Sequence, residues 1–268
     1  MMSSVGPVPM PVVLILICVL IAMTIARLWP GRRAQGPQPS AAGMVLDMLL
    51  VGLLCGRISF VAVNAALYRD SPWSVLQITD GGYHLVVVLM AALAWGLWRL
   101  RGHPALRRPV LAAALAGTLL WGAATHGVSG WQARHMPLPR LEVMELQGRV
   151  IDLQQFRGKP VVVNLWATWC GPCRREMPVL AAAQDAHDDV RFVFLNQGES
   201  LDEVQGFIAG ERLQLRNVLL DDDAAASAAL GVQAYPSTLF FDADGRLQEL
   251  HLGELTMAGL EHKLRRLR

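Results

Sequence analysis

Long apolar runs separated by short polar stretches fill the chain up to about residue 131; beyond it the apolar residues come in short runs set between turn residues. Residues 1–26 carry no charged side chain, and the run from Val5 to Ala26 is long enough to cross a bilayer core, which takes about 20 residues. Further apolar runs cover 41–67, 81–98 and 109–130. The pattern predicts four membrane helices, at 8–29, 42–67, 81–99 and 109–129, in a domain of residues 1–131. Trp29, Trp73, Trp98 and Trp131 fall near proposed span ends, as interfacial aromatics do; Trp121 fits less well.

A linker is expected at 132–140, where Pro137 and Pro139 favour an extended exit. From Leu141 to Arg268 the pattern is α/β. Glu142–Leu146 and Arg149–Leu153 flank Gln147-Gly148 as a hairpin, and Val161–Trp166 reads as a buried strand. A helix is expected just after Cys170, a second strand at Arg191–Leu195, and a capping box at Ser200-Leu201-Asp202-Glu203. Asp221–Leu230 reads as a short Ala-rich helix, Ser237–Phe241 and Leu247–Leu252 as a second hairpin, and Thr256 as the cap of a final helix with Met257, Leu260, Leu264 and Leu267 on one face.

Charge sharpens this division. Only 17% of the chain is charged and 53% is hydrophobic, which excludes intrinsic disorder. Residues 1–131 hold 9 Lys+Arg and 3 Asp+Glu; residues 132–268 hold 15 and 19. The basic residues of the first half fall in short clusters between apolar runs, so no nucleic-acid partner is expected. The first loop (Arg27, Arg32, Arg33) and the third (Arg99, Arg101, Arg107, Arg108) are basic without acids, whereas the second has Arg69, Asp70 and Asp80. The positive-inside rule then puts loops one and three in the cytoplasm, and both the N-terminus and the second half outside. A cleaved signal peptide is the alternative for the first helix, but its positive charges follow the apolar run instead of preceding it. Asp47 and Arg57 sit inside the second span and face different directions.

The chemistry concentrates in Trp166-Ala167-Thr168-Trp169-Cys170-Gly171-Pro172-Cys173-Arg174-Arg175-Glu176-Met177-Pro178. Two cysteines at this spacing are half of a zinc site or a redox dithiol. Structural zinc needs four ligands, and no second Cys or His pair supplies them, so no metal or other cofactor is expected. A thiolate is the nucleophile of disulfide exchange. At a helix N-terminus Cys170 meets free N–H groups and the positive end of the helix dipole, while Cys173, one turn in and more buried, is placed to resolve a mixed disulfide. Pro172 has no N–H to waste early in the helix, and Pro178 is expected to interrupt it. Cys18 and Cys55, in the first and second spans, are small apolar residues or a membrane dithiol passing electrons to Cys170.

Two resemblances add to this. Asp47 … Gly56-Arg57-Ile58-Ser59-Phe60-Val61 … Tyr68 … Ser71-Pro72-Trp73 … Asp80-Gly81-Gly82 resembles the early part of prolipoprotein diacylglyceryl transferases. That family's His-Gly-Gly signature is absent, since Tyr83-His84-Leu85-Val86 follows the double glycine, and its later helices are missing. The stretch therefore reads as a borrowed scaffold without transferase activity, in contact with membrane lipids. Residues from about 141 resemble thioredoxin-fold domains of the TlpA/ResA type, through Trp166–Cys173, Glu176-Met177-Pro178 and Gly231-Val232 … Tyr235-Pro236-Ser237-Thr238. Together with the four helices read from the apolar runs, this implies a four-helix transmembrane domain followed by an α/β thioredoxin-like domain in the periplasm of a bacterial inner-membrane protein. It also implies that Pro236 is a cis-proline facing the cysteines, the alternative being an ordinary turn proline, and that a substrate segment lies along Trp169, Gly171, Pro172, Tyr235 and Ser237.

Cytoplasmic thioredoxins carry a buried Asp six residues before the first cysteine; here Asn164 stands there and cannot take a proton. Glu176 is a candidate to serve Cys173 instead, or else a solvated charge paired with Arg174 or Arg175; Glu199 is a second candidate. The Gly171-Pro172 dipeptide matches thioredoxin, with a potential of about −270 mV, and points to a reductant. The expected function is a membrane-anchored disulfide reductase acting on disulfide-bonded periplasmic proteins and re-reduced by a DsbD-type membrane donor. The alternatives are a role in cytochrome c maturation, a lipid- or lipoprotein-binding module under redox control, and a net oxidase.

Overall fold

A computed structural model describes residues 4–5, 8–28, 40–69, 72–77 and 81–267. Trp29, Arg32, Arg33, Asp70, Ser71 and Asp80 lie outside the described residues. The chain divides into two compact units: Pro11–Asp70 with Gly82–Gly127, and Met1–Met10, Ser71–Gly81 and Val128–Arg268 together. A small antiparallel ribbon, β1 (Ser4–Val5) and β2 (Val8–Pro9), precedes the helices.

The first unit is helical: α1 (Met10–Leu28), α2 (Ala41–Val63), α3 (Leu85–Arg101) and α4 (Arg107–His135). Ser40 caps α2 by accepting the Gly43 amide at 3.0 Å. That helix stops at Val63, four residues short of the expected end: Asn64 leaves the helical conformation with φ −103° and ψ 21°, and its side-chain amide donates to the Phe60 carbonyl at 2.9 Å. A 3-10 turn, Ala65–Tyr68, follows. The third helix starts at Leu85 instead of 81: Gly81 takes a positive φ of 76°, and Gly82 lies against Phe60 and Arg57. The fourth runs through His135, beyond the expected end at 129, since nothing before Pro137 breaks it. Among the described residues, two helical stretches are long and apolar enough to cross a membrane, Ala41–Val63 and Pro104–Val128; Leu16–Ala26 is a shorter apolar helix.

α2 and α3 pack on glycine. A Cβ at Gly52 would lie 2.7 Å from the Val88 carbonyl oxygen, and one at Gly56 2.3 Å from a Val88 methyl. Four residues apart, they open one face of α2 to the backbone of α3. Arg57 is buried there: Nη1 donates to the Gly82 carbonyl at 3.0 Å, and its guanidinium lies 6.0 Å from the Tyr68 ring centroid and 5.8 Å from that of Tyr83. Cys18 lines an apolar cavity of about 270 Å³ with Met48, Val88 and Ala113, whereas Cys55 lines a separate recess with Trp95 and Trp98.

The second unit is built on a seven-stranded sheet. Its strands are β3 (Glu142–Glu145), β4 (Val150–Asp152), β5 (Val161–Trp166), β6 (Arg191–Gln197), β7 (Val218–Asp221), β8 (Ser237–Phe241) and β9 (Leu247–Leu252), in spatial order β4-β3-β7-β6-β5-β8-β9. The central β5, β6 and β7 run parallel; the flanking strands are antiparallel. Parallel strands covered on both faces read as continuous apolar runs, and every residue of β5 is buried. The helices are α5 (Gly171–Ala186), α6 (Leu201–Gly210), α7 (Ala225–Leu230) and α8 (Met257–Leu267). The Ser200–Glu203 capping box is formed, and Thr256 accepts the Gly259 amide at 3.0 Å to cap α8. β7 was not expected: its four residues lie just ahead of the Ala-rich helix, which starts at Ala225 and not at Asp221.

Side chains alternate across β5. Val162 and Trp166 join one core with Met177, Leu180, Leu260 and Leu264; Val161, Val163 and Leu165 join the other with Leu138, Val143, Leu219 and Phe241. Each large side chain fully buried there contributes about 1.5–3 kcal/mol. Asn164 shares the face of Val162 and Trp166, which is the face covered by α5.

The glycine contacts give the first test. Alanine normally stabilises a helix over glycine by about 0.5–1 kcal/mol, and Gly122→Ala, with nothing within 4 Å of its would-be Cβ, is expected to raise the thermal midpoint of the detergent-solubilised chain. Gly52→Ala is expected to lower it, because overpacking against a carbonyl costs about 1–3 kcal/mol.

Candidate active site

β5 ends at Trp166, and the chain passes through Ala167, Thr168 and Trp169 before α5 begins. Cys170 is the N-cap of that helix, with φ −81° and ψ 104°; its Sγ accepts the Cys173 amide at 3.2 Å, and Pro172 occupies the first turn. The two cysteines are joined as a disulfide with 5.2 Å between their Cα atoms. Cys173 is fully buried and Cys170 is 5% exposed, whereas Trp169 is 70% exposed, and Gly171 and Pro172 are also at the surface. The helix runs past Pro178 without ending there. The proline removes only the one hydrogen bond that residue 178 would give to the Arg174 carbonyl.

The loop ahead of Cys170 is held by Glu199. Its carboxylate accepts the Thr168 amide at 2.7 Å, the Thr168 hydroxyl, and the Asn196 side-chain amide at 2.6 Å. Glu199 thus orients the segment that carries Trp169 and Cys170, a role that residue spacing alone did not reveal.

Glu176 is fully buried and pairs with neither arginine: Arg174 pairs with Glu211, and Arg175 with Glu254. Its carboxyl accepts from Asn164 Nδ2 at 2.8 Å and from the Leu255 amide at 3.0 Å. Asn164 also donates to Thr238 Oγ1 at 3.0 Å. Burial pushes the Glu176 carboxyl up from 4.5 to about 8, the Leu255 and Asn164 hydrogen bonds pull it back in part, and the charge of Glu254 adds to the rise. One turn separates Glu176 from Cys173 on α5.

The Tyr235–Pro236 peptide is cis. Leu165 pairs with Ser237 across β5 and β8, so Pro236 stands at the end of the sheet from which the cysteine loop leaves. Ser237 is fully buried and donates its hydroxyl to the Ala234 carbonyl at 2.8 Å, so that hydroxyl faces inward. Tyr235 is half-buried, its ring centroid 6.1 Å from that of Trp169. Cys170, Cys173, Pro236, Trp169 and Tyr235 thus gather at one end of the sheet, with Glu176 beneath. Among the described residues no group of three or more His, Cys, Asp or Glu side chains converges as a metal set would.

Residues 133–264 match the family model described as Redoxin. The chain is 34% identical over 130 residues to the thioredoxin-like protein YneN of Bacillus subtilis, covering 47% of this chain and 75% of that one. It is 30% identical over 131 residues to the thiol-disulfide oxidoreductase ResA of Bacillus anthracis, covering 48% and 75%. A solved structure of MTB dsbF superposes with a TM-score of 0.46 at 26% identity, covering 48% of this chain and 96% of that one.

Between pH 4.5 and about 8 the folded domain keeps a proton on Glu176 that the unfolded chain has released. Its stabilising contribution is complete below pH 4.5 and is lost as pH rises to about 8, with a slope of at most about 1.4 kcal/mol per pH unit. Glu176→Gln is expected to flatten that slope in denaturant titrations of the oxidised protein.

Proposed function

The chain belongs, through its C-terminal half, to the redoxin family of thioredoxin-like thiol-disulfide oxidoreductases, and from that premise we propose that it is a membrane-anchored, extracytoplasmic disulfide reductase. The observation that carries the reading is Cys170 as N-cap of α5, with the Cys173 amide aimed at its sulfur. A helix N-terminus stabilises a thiolate. In the reduced enzyme the Cys170 thiolate attacks one sulfur of a substrate disulfide, forming a mixed disulfide and expelling the other sulfur as a thiolate that takes up a proton. Cys173, losing its proton, attacks the Cys170 sulfur, closes the Cys170–Cys173 bond and expels the second substrate thiolate. The substrate gains two electrons and two protons. A membrane dithiol of the DsbD type then returns them through the reverse exchange.

Glu176, one turn from Cys173 on α5, takes up the Cys173 proton in its ionised form as the thiol attacks, and its protonated form, dominant near neutral pH, returns a proton to the Cys173 thiolate when the pair is re-reduced. Trp169, Gly171, Pro172, Tyr235 and the backbone around Pro236 and Ser237 form the surface along which the substrate segment lies. Asn164 acts by holding Glu176, not by titrating. The direction toward reduction rests on the Gly171-Pro172 dipeptide, shared with thioredoxin at about −270 mV.

The N-terminal half is read as a four-helix membrane anchor on a scaffold like that of prolipoprotein diacylglyceryl transferases, facing lipid. Surface character supports the anchor. Among the described residues, every large exposed apolar side chain except Val150 and Trp169 lies before residue 121, including Leu20, Leu50, Leu54, Met90, Leu115 and Leu119. Apolar faces of this extent are not left in water.

Cys173→Ala in the full-length chain is expected to accumulate mixed disulfides through Cys170, seen as reducible adducts on non-reducing gels; Cys170→Ala is expected to form none. A redox titration is expected to place the pair near thioredoxin, and a value near that of the strong oxidants, about −120 mV, would reverse the assigned direction.

A further inference from the structure

The hydroxyl of Tyr235 is held by a chain of buried side chains that the exchange chemistry does not use. Tyr235 Oη lies 2.9 Å from Ser227 Oγ, which donates to Gln197 Oε1 at 2.6 Å. Serine has one hydroxyl proton, and it goes to Gln197, so the tyrosine is the donor to Ser227. Gln197 Nε2 donates to Asp221 Oδ2 at 3.0 Å and faces the Leu195 and Asn196 carbonyls, which fixes the end of the amide that meets Ser227. Asp221 closes the chain by also accepting the Ala225 and Ala226 amides at 3.0 and 2.8 Å. All donors therefore point one way, from Tyr235 to a carboxylate.

This chain spans the C-terminal ends of β6 and β7 and the short helix α7, all on well-packed elements; Gln197, Ser227 and Asp221 are each over nine-tenths buried. Such a set is costly to bury unless every member is satisfied, and its product is a fixed aromatic ring. With its hydroxyl proton spent inside, Tyr235 has no side-chain donor left for a partner and offers chiefly its ring surface. The neighbouring aromatic, Trp169, is one of only two large apolar side chains exposed in the α/β half among the described residues. Trp169 stands one residue before Cys170, and Tyr235 one residue before the cis-proline.

We infer that Ser227, Gln197 and Asp221 are positioning residues for Tyr235, and that Tyr235 and Trp169 together receive an apolar side chain next to the substrate cysteine. This rests on the exchange reading above and adds its substrate class: disulfides whose cysteine is flanked by an apolar residue.

The test uses the reduced full-length chain in detergent and measures single-turnover reduction of three disulfides. Two are peptides capped with glutathione on a single cysteine, with Phe or Asp before it; the third is hydroxyethyl disulfide, which has no side chain to recognise. The wild-type chain is expected to reduce the Phe peptide at least about tenfold more efficiently than the Asp peptide. Ser227→Ala is expected to raise the half-saturating concentration of the Phe peptide about three- to tenfold, the loss of one net hydrogen bond. Its maximal rate and its rate with hydroxyethyl disulfide stay unchanged. Tyr235→Phe removes the same hydrogen bond from its other end, and is expected to weaken Phe-peptide saturation to the same extent, which keeps the test available should Ser227→Ala fold poorly. Equal handling of the two peptides by the wild-type chain would overturn the inference. So would an unchanged half-saturation in both variants, or a loss that falls equally on hydroxyethyl disulfide. If the wild-type chain reduced none of the three, the exchange reading itself would fail, and this inference with it.

Discussion

The amide of Cys173 points at the sulfur of Cys170 because a helix leaves its first N–H groups without partners, and the sheet decides where that helix begins. β5 is the strand on which this depends: it pairs with β6 on one side and β8 on the other. Its end therefore fixes both the loop that carries Cys170 and the register that sets Pro236 at the same edge. Moving β5 by one residue would turn Asn164 away from α5 and send Leu165 toward it, since side chains alternate along a strand. The reactive pair, the residue beneath it and the wall beside it follow from that one strand's register.

Two carboxyl groups near the pair are handled in opposite ways. Glu199 takes three donors, two of them from Thr168, and so serves as a clamp on backbone. Glu176 takes two donors at full burial, too few to offset desolvation, and its proton is held to about pH 8. A carboxyl that is neutral near pH 7 has a proton to give at the moment a buried thiolate must regain one. The asparagine at position 164 fits this arrangement: a second carboxyl there would meet Glu176 as a like charge, whereas an amide donates to it.

What was legible in the sequence was mostly local. The cysteine spacing ahead of a helix, the continuous apolar run of β5, the Ser200–Glu203 box, the Thr256 cap and both hairpins each show their cause within a few residues, and each formed where expected. The contacts that define the site bridge longer separations. Asn164 meets Glu176 across 12 positions, Thr168 meets Glu199 across 31, and Gln197 meets Ser227 across 30. Periodicity does not encode such pairs; they arise only once β5, β6 and α7 are stacked. β7 leaves no periodic signature because its four residues are too few to show one and adjoin an Ala-rich helix. The end of α4 is not marked by its change from apolar to polar residues, because the helix runs on to His135, just ahead of Pro137.

Exposure of apolar groups means different things in the two halves. In the helical half many leucines of α1, α2, α3 and α4 face outward, and small residues, Gly52 and Gly56 against Val88, make the closest helix contacts, beside a buried set that includes Met44 and Leu100. Small-residue contacts of this kind are what the proposed membrane anchor requires, since helices in lipid associate by close packing. The α/β half does the reverse: phenylalanines, leucines and Trp166 go inside, and charged residues cover the surface. In that half an exposed tryptophan is an exception in need of a cause, because burying Trp169 would be worth more to the fold than leaving it in water. It stands one residue before Cys170, beside a tyrosine whose hydroxyl is tied down from behind. The fold gains nothing from that exposure; a partner peptide whose disulfide must reach Cys170 does.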